Sequence, residues 1–218
     1  MNYRMICFVI SRILLMEAAL LALPMAVAFW YGESGIPYLI PMALLILCGL
    51  PLGRRRPERA SLYARDGLAV VALAWIAVSL FGAMPFYISG SMESFVDCIF
   101  ETVSGFTTTG ASILREVESL NRGILFWRSF THWVGGMGVL VFVMAIVPMS
   151  GDGHGMHLLR AEVPGPSVGK LVSRMSDSAK ILYGIYCAMT LAVIALLWGA
   201  GMPLYDAAVH AFSIAGTG

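Results

Sequence analysis

Residues 95–112 read FVDCIFETVSGFTTTGAS, a short apolar stretch that runs straight into three threonines and a glycine. Phe95, Ile99, Val103 and Phe106 recur at the spacing of an α-helix, while Glu93, Asp97, Glu101 and Ser104 occupy its other faces. At about 1.5 Å per residue, the stretch 95–106 covers only about half of a membrane crossing. Polar residues bound it on both sides, and longer apolar runs precede and follow it. The segment therefore reads as a re-entrant helix that enters and leaves by the same face.

Composition supports a membrane setting. Of 218 residues, 59% are apolar and 12% charged, whereas soluble domains carry about a quarter charged residues. The chain is expected to be an all-α polytopic membrane protein with lipid as its surroundings and no nucleic-acid partner. Cys7, Cys48, Cys98 and Cys187 show no CxxC spacing, so they suggest neither a zinc site nor a disulfide framework and read as packing residues.

Working outward, five regions follow. Residues 1–53 form a transmembrane hairpin, with spans at about 6–30 and 37–52 joined by the turn Gly32-Glu33-Ser34-Gly35. Arg4 and Arg12 ahead of an apolar run containing Ala26-Val27-Ala28 also fit a cleaved signal peptide. The length of that run, and the second span close behind it, favour a retained helix. Residues 54–66 make a basic loop holding Arg54, Arg55, Arg56, Arg59 and Arg65, which the positive-inside rule places in the cytoplasm together with the N-terminus. Residues 67–149 hold a span (67–87, ending near Pro85), the short helix with its loop, and a second span (124–149). A Gly- and Pro-rich cytoplasmic loop covers 150–177, and residues 178–218 begin with another span.

An internal repeat underlies this order. At an offset of 109 without gaps, Asp97 aligns with Asp206, Ser104 with Ser213 and Thr108 with Thr217. Each copy also follows a span ending in Gly and Met-Pro, at Gly82-Ala83-Met84-Pro85 and Gly201-Met202-Pro203. The second copy stops at Gly218, inside its loop, so the chain is expected to be a fragment of a longer protein.

The loop Thr107-Thr108-Thr109-Gly110 carries the chemistry. Backbone carbonyls can replace the water shell of a dehydrated cation, and turning them toward one axis requires conformations that a Cβ hinders, which glycine permits. The β-branched threonines read as an extended stretch whose hydroxyls brace the loop. The C-terminal end of the short helix adds partial negative charge, which favours cations over anions. Glu101 and Asp97 either add negative potential or anchor the helix, and the sequence leaves both open.

At three stretches the chain resembles the Trk/Ktr/HKT superfamily of potassium transporters, most closely its TrkH-type members: residues 100–112 (FETVSGFTTTGAS), 126–138 (FWRSFTHWVGGMG) and 159–166 (LRAEVPGP). The resemblance runs from about residue 60 to the end, and residues 1–53 fit the extra helix pair of TrkH-type proteins. It implies four span/pore-helix/span repeats of potassium-channel type, each giving one filter loop. Thr107, Thr108, Thr109 and Gly110 would form the first, with Thr108 and Thr109 meeting potassium through backbone carbonyls. Gly216, Thr217 and Gly218 would begin the second. It also implies potassium uptake across the cytoplasmic (inner) membrane, no covalent cofactor, a homodimer, and a cytosolic nucleotide-binding regulatory subunit.

Other motifs are weaker. Asp152, His154 and His157 offer the alternative of a membrane-embedded enzyme, but the HxxH spacing lacks the glutamate of HExxH. Residues 165–171, GPSVGKL, have one residue too few between the glycines for a phosphate loop. The run Gly135-Gly136-Met137-Gly138 reads as a close helix-packing surface. Arg128 and His132, one turn apart, are either functional groups at membrane depth or, for Arg128, a side chain reaching the outer surface.

Overall fold

The computed structural model describes residues 2–54, 64–138 and 175–217, and all regular structure among them is helical. Among the described residues eight helices follow in order: α1 Tyr3–Leu20, α2 Ala22–Trp30, α3 Ile36–Gly53, α4 Ala64–Ile88, α5 Phe95–Phe106, α6 Arg122–Gly136, α7 Met175–Gly199 and α8 Leu204–Ala215. Among the described residues, four stretches are long and apolar enough to cross a membrane: Tyr3–Trp30, Ile36–Gly53, Asp66–Ile88 and Lys180–Gly199.

The first span is broken at Leu21, between α1 and α2. Pro24, one turn further on, supplies no N–H, and its ring crowds the carbonyl four residues back. By contrast, Pro41 and Pro51 sit inside α3, and Pro85 lies inside α4, which continues to Ile88 rather than ending at the proline. Gly90 (φ +71) stops α4 instead: its N–H reaches the Tyr87 carbonyl at 3.1 Å and that of Ser91 reaches Phe86 at 3.2 Å, a left-handed C-terminal cap.

The expected Met-Pro parallel between the two copies is not structural. Met84-Pro85 is inside α4, whereas Pro203 is the N-cap of α8. The true counterpart of Gly90 is Gly201 (φ +98), which ends α7 with bonds to Trp198 (3.0 Å) and, through Met202, to Leu197 (3.1 Å). The short helices do keep the offset of 109. Each has 12 residues, starting at Phe95 and Leu204 and ending at Phe106 and Ala215.

Helices α1, α3 and α4 pack together; α5 lies between α4 and α6, and α6 also meets α2 and α8. Ser11 donates to the Gly49 carbonyl at 2.7 Å, joining α1 to α3. The Trp127 indole donates to the Gly82 carbonyl at 2.9 Å, joining α6 to α4. Buried Trp127, Phe106 and Phe86 form part of the core. Only Cys98 among the cysteines is buried, so the packing expectation fails for exposed Cys48 and holds only partly for Cys7 and Cys187.

The hairpin seats on α6 through Gly123, where a Cβ would collide with the Tyr38 hydroxyl and lie 2.9 Å from Ala28 Cβ and 3.1 Å from the Pro24 carbonyl. We expect Gly123→Leu to lower stability by about 2 kcal/mol, from overpacking. A fall in the melting temperature of the detergent-solubilised protein is the check; an unchanged value contradicts the contact.

Candidate functional site

Helix α5 ends by the same kind of cap that stops α4, but without a glycine. The N–H groups of Thr107, Thr108 and Thr109 bond to the carbonyls of Val103 (2.8 Å), Gly105 (3.0 Å) and Ser104 (2.9 Å). This pattern drives the residue after the C-cap into the left-handed region, and Thr108 takes φ +54 there. A β-branched residue in that region is an outlier costing about 1–3 kcal/mol. The threonines are therefore a tight turn, not the extended stretch expected. Their hydroxyls do brace it: Thr107 Oγ1 donates to Val103 O at 2.7 Å and lies 2.8 Å from Thr109 Oγ1. Gly110 follows at φ +71, where a side chain would be strained. Among the described residues, no hydrogen bond reaches the carbonyls of residues 107–110.

The second copy repeats this backbone. Thr107 has φ −83 and ψ 1, and Gly216 has φ −83 and ψ 2. Thr217 matches Thr108 with φ +59 and a bond to the Ile214 carbonyl at 3.2 Å. Gly218 lies outside the described residues.

Glu101 ties the first loop to the bundle. Its buried carboxylate accepts from Arg128 Nε on α6 at 2.6 Å, from the Ser112 hydroxyl at 3.0 and 3.1 Å, and from the Ile113 N–H at 3.3 Å. Of the two roles left open for Glu101, the geometry selects anchoring: α5, the segment leaving the loop, and α6 share one carboxylate. Arg128 consequently points inward, with its side chain 14% exposed, instead of reaching the outer surface. Asp97 is exposed in the first turn of α5, where a negative charge suits the helix dipole, and Asp206 occupies the same place in α8. The face of α5 turned inward is Cys98, Glu101, Thr102, Ser104, Gly105 and Phe106, leaving Phe95 and Val103 on the outer side.

Glycines let α6 approach both loops closely. A Cβ on Gly135 would strike the Phe106 backbone, and one on Gly105 would strike the Thr131 hydroxyl. A Cβ on Gly136 would meet the Tyr186 hydroxyl and lie 3.3 Å from Gly216 Cα; one on Gly216 would strike the His132 backbone. The run at 135–136 is thus a packing surface between the two copies. His132 Nδ1 lies 3.1 Å from the Arg128 carbonyl, and its Nε2 has no hydrogen-bond partner among the described residues.

Residues 40–218 match the family model described as TrkH, cation transport protein. The chain belongs to the TrkH family of cation transport proteins. It is 37% identical over 220 residues to the Trk system potassium uptake protein TrkH of Vibrio parahaemolyticus, covering 98% of this chain and 44% of that protein. It is 35% identical to the potassium uptake protein TrkG of Escherichia coli, covering 89% of this chain and 41% of that one. The crystal structure of the potassium transporter TrkH from Vibrio parahaemolyticus aligns with a TM-score of 0.79 and 31% identity, over 97% of this chain and 42% of that chain. The chain therefore spans less than half the length of these TrkH-family relatives.

Asp152, His154 and His157, residues 165–171 and the stretch 159–166 lie outside the described residues of this TrkH-family chain. Among the described residues, no group of three His, Cys, Asp or Glu side chains is placed to hold a metal. Two arrangements were not anticipated from sequence. One is a cluster around Glu33 and Arg122; the other is Glu17, buried in α1 with both oxygens lacking a hydrogen-bond partner among the described residues. Glu17 lies behind α5, since a Cβ on Gly82 would be 3.4 Å from its Oε1 and 3.0 Å from both Thr102 Cγ2 and the Phe106 ring. A lone glutamate in an apolar run gives no sign of which helix it will face.

Removing one partner of the Glu101–Arg128 pair strands the other, which costs about 3–5 kcal/mol for a buried pair. Arg128→Ala is accordingly expected to lower thermal stability strongly, and Glu101→Gln combined with Arg128→Met to recover much of the loss. Equal melting temperatures for the Ala variant and the parent would contradict the strap.

Proposed function

We propose that this chain supplies one filter loop, Thr107–Gly110, and the beginning of a second, at Gly216–Gly218, to a potassium uptake protein of the cytoplasmic membrane. The observation that carries this reading is the pair of equal turns at the ends of equal 12-residue helices, with Thr108 and Thr217 both left-handed. In the first turn the carbonyls of 107–110 are unspent by internal hydrogen bonds among the described residues. Such oxygens, held by a braced backbone, can replace the hydration shell of potassium, with Thr108 and Thr109 as direct carbonyl ligands. Similarity to relatives named for potassium uptake supports the choice of ion.

The same reading takes α5 and α8 as re-entrant pore helices and residues 1–53 as a separate hairpin, with the N-terminus and the basic loop on the cytoplasmic side. Two filter segments do not enclose a pore, so the remaining segments come from further repeats. The working protein is a homodimer governed by a cytosolic nucleotide-binding subunit, and its task is ion passage without covalent chemistry.

In the full-length protein, Gly110→Ser is expected to weaken discrimination against sodium, because a side chain at φ +71 displaces the neighbouring carbonyls. Thr108→Gly relieves about 1 kcal/mol of backbone strain. It should leave thermal stability equal or higher while loosening the turn and lowering the potassium-to-sodium uptake ratio. Unchanged potassium uptake and selectivity in both variants, assayed in vesicles, would remove the filter assignment.

A further inference from the structure

Tyr31, Glu33, Arg122, Tyr205 and Asp206 come from three distant parts of the sequence and meet at one end of the molecule. Glu33, in the hairpin turn, accepts the N–H of Arg122 at 2.6 Å on one oxygen and that of Gly123 at 2.9 Å on the other. It closes two of the donors that the first turn of α6 would otherwise leave unpaired, and its charge suits the helix dipole.

Arg122 then holds α8 by backbone and side chain together. Its carbonyl accepts the Tyr205 hydroxyl at 2.5 Å, and its Nη1 lies 3.1 Å from Asp206 Oδ1. Its guanidinium stands 5.0 Å from the Tyr205 ring centroid and 5.9 Å from that of Tyr31. The two tyrosine rings meet edge to face at 5.3 Å. An exposed ion pair alone contributes little. Here a hydroxyl bond to the backbone, a charge pair and two ring contacts converge on one residue, which fixes both the height and the direction of the first turn of α8.

The rest of α8 follows α6. Phe212 packs against Phe126, Phe130 and Trp133 with centroids 5.5 to 5.6 Å apart, and Gly216 rests on the His132 backbone. The first loop takes its position from the same helix, through Arg128 and Gly135. We propose that Glu33 and Arg122 form an outer clamp that sets the second loop, Gly216–Thr217, in register with the first, so that the N-terminal hairpin helps to determine ion selectivity. The idea rests on the two loops being filter segments. Glu33 and Arg122 are positioning residues and touch no ion.

The test uses the full-length protein, with hydrogen exchange of residues 204–215 measured in detergent and potassium and sodium uptake measured in proteoliposomes. In Arg122→Ala and Tyr205→Phe, α8 should exchange about fivefold faster or more, the factor expected for loss of one net hydrogen bond, while α5 exchanges as before. The sodium-to-potassium uptake ratio should rise by a similar factor at equal protein content. Arg122→Lys keeps the charge but not the planar stacking, and should fall between. If Arg122→Ala fails to assemble, Tyr205→Phe, which removes one hydroxyl, decides. Unchanged exchange in α8 overturns the clamp. Faster exchange with an unchanged uptake ratio overturns its influence on selectivity. A parent protein without potassium preference overturns the filter reading itself, while the exchange measurement still judges the clamp.

Discussion

Glu101, a carboxylate buried among apolar helices, is compensated where it sits by three groups from two other places in the chain. Arg128 supplies the charge from α6, and Ser112 and Ile113 supply hydrogen bonds from the segment that leaves the loop. The cost of an uncompensated charge at this depth makes the arrangement close to all-or-none. Short helix, turn and neighbouring span are consequently fixed as one unit, and the turn can hold Thr108 in a conformation its side chain disfavours.

The polar lock also explains why α5 appears inside-out by soluble standards. Glu101, Thr102 and Ser104 face the bundle, and Phe95, Val96 and Phe100 face away. In water an amphipathic helix gains by hiding its apolar stripe; in a membrane the lipid is itself apolar, so the helix gains by pairing its polar groups with protein. Helix α7 is mostly exposed within this chain, which spans less than half the length of its TrkH-family relatives. It touches α6 through a Trp133 indole bond to Thr190 at 3.0 Å and a Tyr186 hydroxyl bond to the Trp133 carbonyl at 3.1 Å.

Helix α6 is the common reference for both loops. Small residues at 135 and 136 bring the backbones of Phe106 and Gly216 against it on different sides, and its first turn is capped from the hairpin by Glu33. The sequence displays the glycines plainly, and their reading as a packing surface needed nothing more. Which backbones they admit was not legible, because spacing along a helix fixes a face and not its occupant.

Composition and run lengths were enough for the membrane class and for the short helix Phe95–Phe106, since the bilayer sets the number of apolar residues a span requires. The offset of 109 was legible as well, because Asp97, Thr108 and their partners sit at fixed places in a repeated unit. The Met-Pro parallel misled, since proline is tolerated inside α4 while a left-handed glycine terminates it. What only the tertiary structure decided were the long-range choices: Glu101 as an anchor, Arg128 turned inward, the threonines folded into a tight turn, and Arg122 joining hairpin to α8. Each depends on which groups meet across the bundle. Local pattern carries the polarity of a residue and its helical phase, but the partner that satisfies a buried charge lies tens of residues away and leaves no periodic mark.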